Sequence, residues 1–156
     1  MFAQHIKQSG KYIQIRGSGS WRYVDGFIVD HKVVDIINCH SNQQDGPEIF
    51  PNAEEVYFRN CNGNTIFFNL SPKRFPKVKN LYLDTHFEPK VYRRFDKDVT
   101  IHINRNVIDC RPYYKKRSDD GIHEYIEQNG RKLFLLTVKQ IEERLLRSGF
   151  AQHLLE

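Results

Sequence analysis

Apolar residues recur along this chain in pairs separated by one polar position, and the pairs return at a nearly fixed interval. Val34-Asp-Ile36, Val56-Tyr-Phe58, Leu81-Tyr-Leu83 and Val99-Thr-Ile101 follow one another at steps of 22, 25 and 18 residues, and Ile13-Gln-Ile15 lies 21 before the first. Alternation with a period of two is the pattern of a strand that buries one face. Two copies share a lead-in: Phe50-Pro-Asn-Ala-Glu-Glu-Val-Tyr-Phe58 and Phe75-Pro-Lys-Val-Lys-Asn-Leu-Tyr-Leu83 match at a constant offset of 25. Pro51 and Pro76 cannot donate to a ladder, so each marks the bend before its strand. Three residues past the second apolar position comes a turn slot, held in succession by Cys39, Cys61, His86 and Asn104.

One such unit cannot bury its apolar face alone, so successive copies must stack. The segments Val34 to Cys39, Val56 to Cys61 and Leu81 to His86 resemble the leucine-rich repeat, with Val, Ile and Phe in place of most leucines, an irregular length and a mixed turn slot. The chain is also similar to short repeat proteins of large DNA viruses of amoebae. The resemblance implies an α/β-type repeat fold: a short, irregular leucine-rich-repeat-like solenoid with a parallel β-sheet. It further implies a protein-binding role and a place in a virion as one setting; no enzymatic activity and no cofactor are expected, since no catalytic motif is found. One domain is expected, with residues 1–32 as an N-terminal cap, 33–108 as repeats and 109–156 as a C-terminal cap.

The flanking pattern supplies the caps. Residues 1–9 read as a polar tail and Lys11 to Arg16 as a strand. Trp21 to Val24 and Phe27 to Val29 flank Asp25-Gly26, a hairpin signal. Asn62-Gly-Asn64 reads as a turn, with Thr65 to Phe68 and Leu70 closing the core behind it. Near the other end, Ile122 to Glu127 and Lys132 to Leu136 flank Asn129-Gly130, a second hairpin. Thr137 with Gln140 forms a capping box, Val138, Ile141 and Leu145 recur at helical spacing, and Ser148-Gly149 ends the helix. Phe150, Leu154 and Leu155 either pack back or serve a partner, a homodimer included.

Composition narrows the setting. Hydrophobic residues at 39% and charged residues at 28% suit a folded core rather than a disordered chain. No apolar run approaches the about 20 residues of a membrane span, and the N-terminus lacks a signal-peptide core. With three cysteines, an odd number, the chain does not read as a disulfide framework, and a soluble intracellular protein of cytoplasm or nucleus is expected. Cys39 and Cys61 share a slot. They read as neighbouring buried thiols, and a metal site with His86 lacks the C-x-x-C pair that would support it. The formal charge is +5, but residues 73–117 hold 13 Lys/Arg against 5 Asp/Glu, which favours an acidic partner.

Stacking places outward side chains in columns. The middle column is Gln14, Asp35, Tyr57, Tyr82, Thr100, and the next is Arg16, Ile37, Arg59, Asp84, His102. Tyr57, Arg59, Tyr82, Asp84, Thr100 and His102 are therefore expected to form an exposed wall that grips a protein. A second reading assigns nucleic-acid binding to Lys73, Arg74, Lys77, Lys79, Arg93, Arg94, Lys115, Lys116 and Arg117, because Arg111-Pro-Tyr-Tyr-Lys-Lys-Arg117 interleaves rings and cations. A third is self-association into an assembly. The scattered histidines fit no catalytic or metal motif, so no catalytic residue is assigned.

Overall fold

A computed structural model describes residues 6–17, 30–41, 49–84, 89–107, 114–121 and 123–149. Its elements in chain order are strands β1 (Ile6–Ser9), β2 (Tyr12–Arg16), β3 (Val33–Ile37) and β4 (Glu55–Arg59), helix α1 (Gly63–Asn69), and β5 (Asn80–Leu83). A 3₁₀ helix (Pro89–Arg94) follows, then β6 (Thr100–Asn104), β7 (Lys116–Arg117), β8 (Glu124–Gln128), β9 (Arg131–Leu136) and α2 (Val138–Arg147). The strands form one open sheet in the order β1-β2-β3-β4-β5-β6-β9-β8-β7. β2 through β6 and then β9 run parallel, and antiparallel strands finish both ends. The protein is thus an α/β fold on a mostly parallel sheet.

Register follows from the alternating pattern. Ile13, Val34, Val56, Leu81, Ile101 and Leu133 form one continuous row across six strands. Ile15, Ile36, Phe58, Leu83, Ile103 and Leu135 form a second row, two residues along. Eleven of these twelve side chains have no exposed surface, and Leu135 has 5%. The returns between strands cover them with Phe50, Ile66, Leu70, Phe75, Val91 and Tyr92. The duplicated Phe-Pro motif makes the same turn twice: Ala53 N–H donates to the Phe50 carbonyl and Val78 N–H to that of Phe75, each at 3.4 Å. The two phenyl rings stack, with centroids 5.4 Å apart. Each prolyl ring stays exposed on the outside of its bend.

Four expectations need correction. Residues 6–9 are not a tail. Ile6 is buried and pairs with Ile15, and Gly10 at φ 59° turns the chain into β2. Asn62 is not mid-turn but the N-cap of α1, its side chain accepting from the Thr65 N–H. Phe68 is not core but 41% exposed on that helix. The repeat at β6 is also shifted by two residues. Val99 N–H is held by the Asp96 carbonyl in a turn, so the strand starts at Thr100, and Ile101 and Ile103, not Val99 and Ile101, align with Leu81 and Leu83. The hairpin expected at residues 21–29 lies outside the described residues, as do Phe150, Leu154 and Leu155.

The C-terminal cap follows its sequence signals. Asn129 and Gly130, at φ 55° and 75°, close the β8–β9 hairpin. Thr137 and Gln140 form a reciprocal capping box at the start of α2. The helix then crosses the sheet face opposite the main core, and Ile141 and Leu145 pack on Val33, Tyr57, Tyr82, Leu136 and Tyr12. At its far end Gly149, at φ 105°, lies so close to Tyr12 of β2 that a Cβ would stand 2.3 Å from the ring hydroxyl oxygen.

Truncating the shared row should cost far more than truncating the helix surface. Leu81→Ala is expected to lower unfolding free energy by about 2–5 kcal/mol, whereas Phe68→Ala, at an exposed site, should stay within about 0.5 kcal/mol. Urea titrations followed by circular dichroism measure both.

Candidate functional site

The register that builds the core also builds the outward columns. Gln14, Asp35, Tyr57, Tyr82, His102 and Phe134 lie side by side across six strands. Tyr57 and Tyr82 stack with centroids 4.2 Å apart and planes 6° apart. Tyr82 and His102 continue the stack at 4.4 Å and 8°, and Phe134 lies 5.6 Å beyond. The wall expected from sequence is therefore assembled, with one exchange. His102 stands beside Tyr82, and Thr100 falls in the preceding column beside Asn80.

The wall is not open. Tyr57 is 0% and Tyr82 2% exposed, because α2 lies on them. Sequence reading missed this, having treated Ile141 and Leu145 as a seal for the last repeat, while the helix instead lies across the faces of earlier ones. Arg59 and Asp84 are also engaged. The Arg59 guanidinium donates to both Asp35 carboxylate oxygens, at 2.8 and 2.7 Å, with both residues buried. Gln14 donates a further bond to Asp35 at 3.0 Å. Burial alone would lower the Arg59 pKa, but the Asp35 carboxylate outweighs it and raises it. Asp84 accepts the Asn60 N–H at 2.7 Å, and burial raises its pKa. Burial likewise pushes the Tyr57 and Tyr82 hydroxyls up and the Glu55 carboxyl up.

His102 is the most perturbed imidazole. Burial, reinforced by the nearby Arg144 charge, depresses its pKa to about 3, so it stays neutral. Its Nε2 faces the Asn80 side-chain Oδ1 at 3.1 Å and donates to it, leaving Nδ1 buried without a partner among the described residues.

The nine cations proposed for nucleic acid do not form one patch. Arg74 is buried and donates to Asn69, and Arg94 donates to the Phe67 and Leu70 carbonyls at 2.7 and 2.9 Å. Both hold α1 and its flank in place. Lys79 pairs with Glu54 at 3.0 Å and Lys116 with Glu127 at 3.2 Å. Lys73, Lys77 and Arg93 are exposed on the return loops. Lys115, Lys116 and Arg117 lie together at the β7 edge, next to Tyr114, which is 87% exposed.

Beside that edge is a cleft that sequence reading did not anticipate. It has a volume of about 520 Å³ and lies between β7, β8, β9 and α2. Arg105, Arg117, Arg144 and Arg147 line it together with His123, Gln140, Glu124 and Glu143, over a floor of Leu135 and Leu136. The signal available in sequence was that Gln140, Glu143, Arg144 and Arg147 recur at helical spacing on one side of α2. Their convergence with Arg105 and Arg117 is purely tertiary. Arg131 was missed as well, and its guanidinium satisfies the carbonyls of Tyr92, Phe95 and Asp96 at the end of the 3₁₀ helix.

Cys39 and Cys61 are buried free thiols in contact. The hydrogen bond between them, with burial, pushes the Cys61 thiol strongly up, toward an inert, protonated form. His86 and Cys110 lie outside the described residues. Among the described residues, no three His, Cys, Asp or Glu side chains converge as metal ligands, and no helix is long and apolar enough to cross a membrane.

Residues 34–104 match the model of a family of unknown function (DUF5845). That segment runs from β3 through β6 and stops before every residue of the arginine-lined cleft. No curated protein and no solved structure matches the chain.

The His102 environment gives a testable pH dependence. Its folded pKa near 3 lies below the ordinary unfolded value of about 6.5. The unfolded chain therefore binds the extra proton between those values, and stability falls as pH drops below about 6.5. His31, also lowered by burial, acts in the same direction, while the raised Glu55 and Asp84 carboxyls act oppositely. In melts from pH 7 to pH 5, His102→Phe should lose less melting temperature than the unaltered chain. An equal or larger loss in the variant would assign the acid sensitivity elsewhere.

Proposed function

We propose that this chain is a non-enzymatic, intracellular binding module that grips an anionic strand, single-stranded nucleic acid, along its C-terminal shoulder. The observation that carries this reading is Tyr114, 87% exposed and followed directly by exposed Lys115, Lys116 and Arg117 on the outermost strand. A ring free on its face beside a short run of cations suits a stacked base with phosphates on either side. The arginine-lined cleft adds positive potential immediately behind that strand. The chemistry of the described residues favours binding over catalysis. Asp120, His123 and Arg144 form a chain of contacts, but it ends on a guanidinium, which donates hydrogen bonds and can act neither as a base nor as a nucleophile. The strand order and the repeated Phe-Pro turn support reading the body as a degenerate stack of leucine-rich-repeat-like units with caps at both ends.

Anisotropy with a fluorescein-labelled single-stranded 20-mer at 50 mM salt tests the reading. Affinity should fall as salt rises, with a shallower slope in Lys115→Ala/Arg117→Ala. Tyr114→Ala should weaken binding about 5- to 100-fold. No binding at 50 mM salt would remove this function.

A protein partner at the sheet face is the second reading. It is favoured by the fact that the Tyr57–Tyr82 wall already receives an amphipathic helix, the chain's own α2. A partner helix would have to take the place of α2. Labelled peptide 137–149 added to the intact chain should then bind and be excluded by excess unlabelled peptide. A peptide that stays free at high protein concentration would end this reading.

A further inference from the structure

The side chains that line the cleft between α2 and the β8–β9 hairpin carry more positive than negative charge. Four guanidinium groups line it against two carboxylates, leaving an excess of two positive charges with His123 neutral. One of the four is satisfied, since Arg105 pairs with Glu124 at 2.7 Å. Among the described residues, Arg117 bonds the Gly121 carbonyl, at 3.3 Å, and Arg147 has no side-chain partner.

Arg144 is held in position. Its guanidinium reaches the Tyr82 hydroxyl on one side and His123 Nε2, at 2.9 Å, on the other. A guanidinium only donates, so Nε2 must be the unprotonated nitrogen and Nδ1 must carry the proton, facing Asp120 at 3.3 Å. Phe134 meets the imidazole edge-on at 6.4 Å and fixes its plane. Gln140 is oriented too: its Oε1 accepts the Thr137 N–H at 2.8 Å, which leaves the amide NH₂ as the free end.

We infer that this cleft binds a phosphate monoester, with Arg117, Arg144 and Arg147 as donors to its oxygens and Gln140 as a further donor. A monoester carries close to two negative charges at neutral pH and three acceptor oxygens, which matches the excess of guanidinium over carboxylate in the lining and the set of fork-shaped donors. The concave, bounded shape and the volume of about 520 Å³ suit a nucleotide-sized ligand rather than a continuous strand. The phosphate comes either from a free mononucleotide or from the phosphorylated end of a strand. This site goes beyond the strand-binding surface: it shares Arg117 with that surface but does not need Tyr114.

Calorimetry with AMP, adenosine and malonate on the full chain at 50 mM salt tests the site. AMP should bind, adenosine should not, and malonate should compete poorly. Arg147→Ala and Arg117→Ala should each weaken AMP about fivefold or more, while Lys73→Ala, on a distant loop, should leave it unchanged. Both arginines are surface side chains, and an unaltered melting temperature in the variants separates lost binding from lost folding. Absence of AMP binding, equal binding of adenosine, equal competition by malonate, or full AMP affinity in the Arg117→Ala/Arg147→Ala double variant would each overturn the proposal. A 20-mer with a 5′-phosphate that binds tighter than its 5′-hydroxyl form assigns the phosphate to a strand end. AMP binding with no such difference assigns it to a free nucleotide. Because Tyr114→Ala should weaken the 20-mer and leave AMP untouched, failure of the strand surface and failure of the cleft give different results.

Discussion

Burial of both faces of the sheet governs this molecule. Parallel sheets carry their crossover connections on the faces and apolar side chains on both sides, which is why such sheets are seldom left half-wet. Among the described residues, the inner side is covered piecewise by the short returns between strands, and α2 covers the outer side at Tyr12, Val33, Tyr57 and Tyr82. The inner cover is local and repeats with the chain. The outer cover couples the last element to strands more than a hundred residues earlier, with the Gly149–Tyr12 contact as its far end. The order of the middle strands is therefore set locally, while cover of the outer face depends on α2, far along the sequence.

That division accounts for what could be read directly. The Phe-Pro turns, the aliphatic rows and the two caps of α2 are decided by residues within a few positions of one another, and each was visible as a local pattern. The position of α2 was not. Ile141 and Leu145 announce that a helix buries one side, but nothing near them states that Tyr57 and Tyr82 supply the floor. The outward tyrosines illustrate the same ambiguity from the sheet. An aromatic on the face opposite the core looks identical in sequence whether it meets a partner or the chain's own terminus. The slip at β6 has a simpler cause: Val99 is apolar and at the expected spacing, yet the Asp96 turn consumes it.

The cationic residues divide by the same physical logic. Arg74, Arg94 and Arg131 are spent on carbonyl and amide oxygens at the ends of short helical turns, where backbone acceptors would otherwise be left bare. Guanidinium suits that work because one planar group can satisfy several acceptors at once. Counting positive charge along the sequence could not separate these structural arginines from those left facing solvent. The charged pair on β7, Lys116 and Arg117, also discourages further strand addition at an open edge, so the surface assigned to a ligand and the device that keeps the sheet from extending share residues.

Translation along the sheet has a chemical consequence of its own. When neighbouring strands are parallel and aligned, any group at one position faces its counterpart about 4.8 Å away. Faithful copying of an aliphatic residue is then rewarded, whereas copying a carboxylate or an ammonium would set like charges face to face. The buried outer columns obey this rule, with glutamine against aspartate, aspartate diagonally against arginine, and tyrosine against tyrosine and then histidine. The aliphatic side could remain a recognisable echo, while on the outer side the charged positions had to differ and an uncharged ring, Tyr57 beside Tyr82, could still be copied.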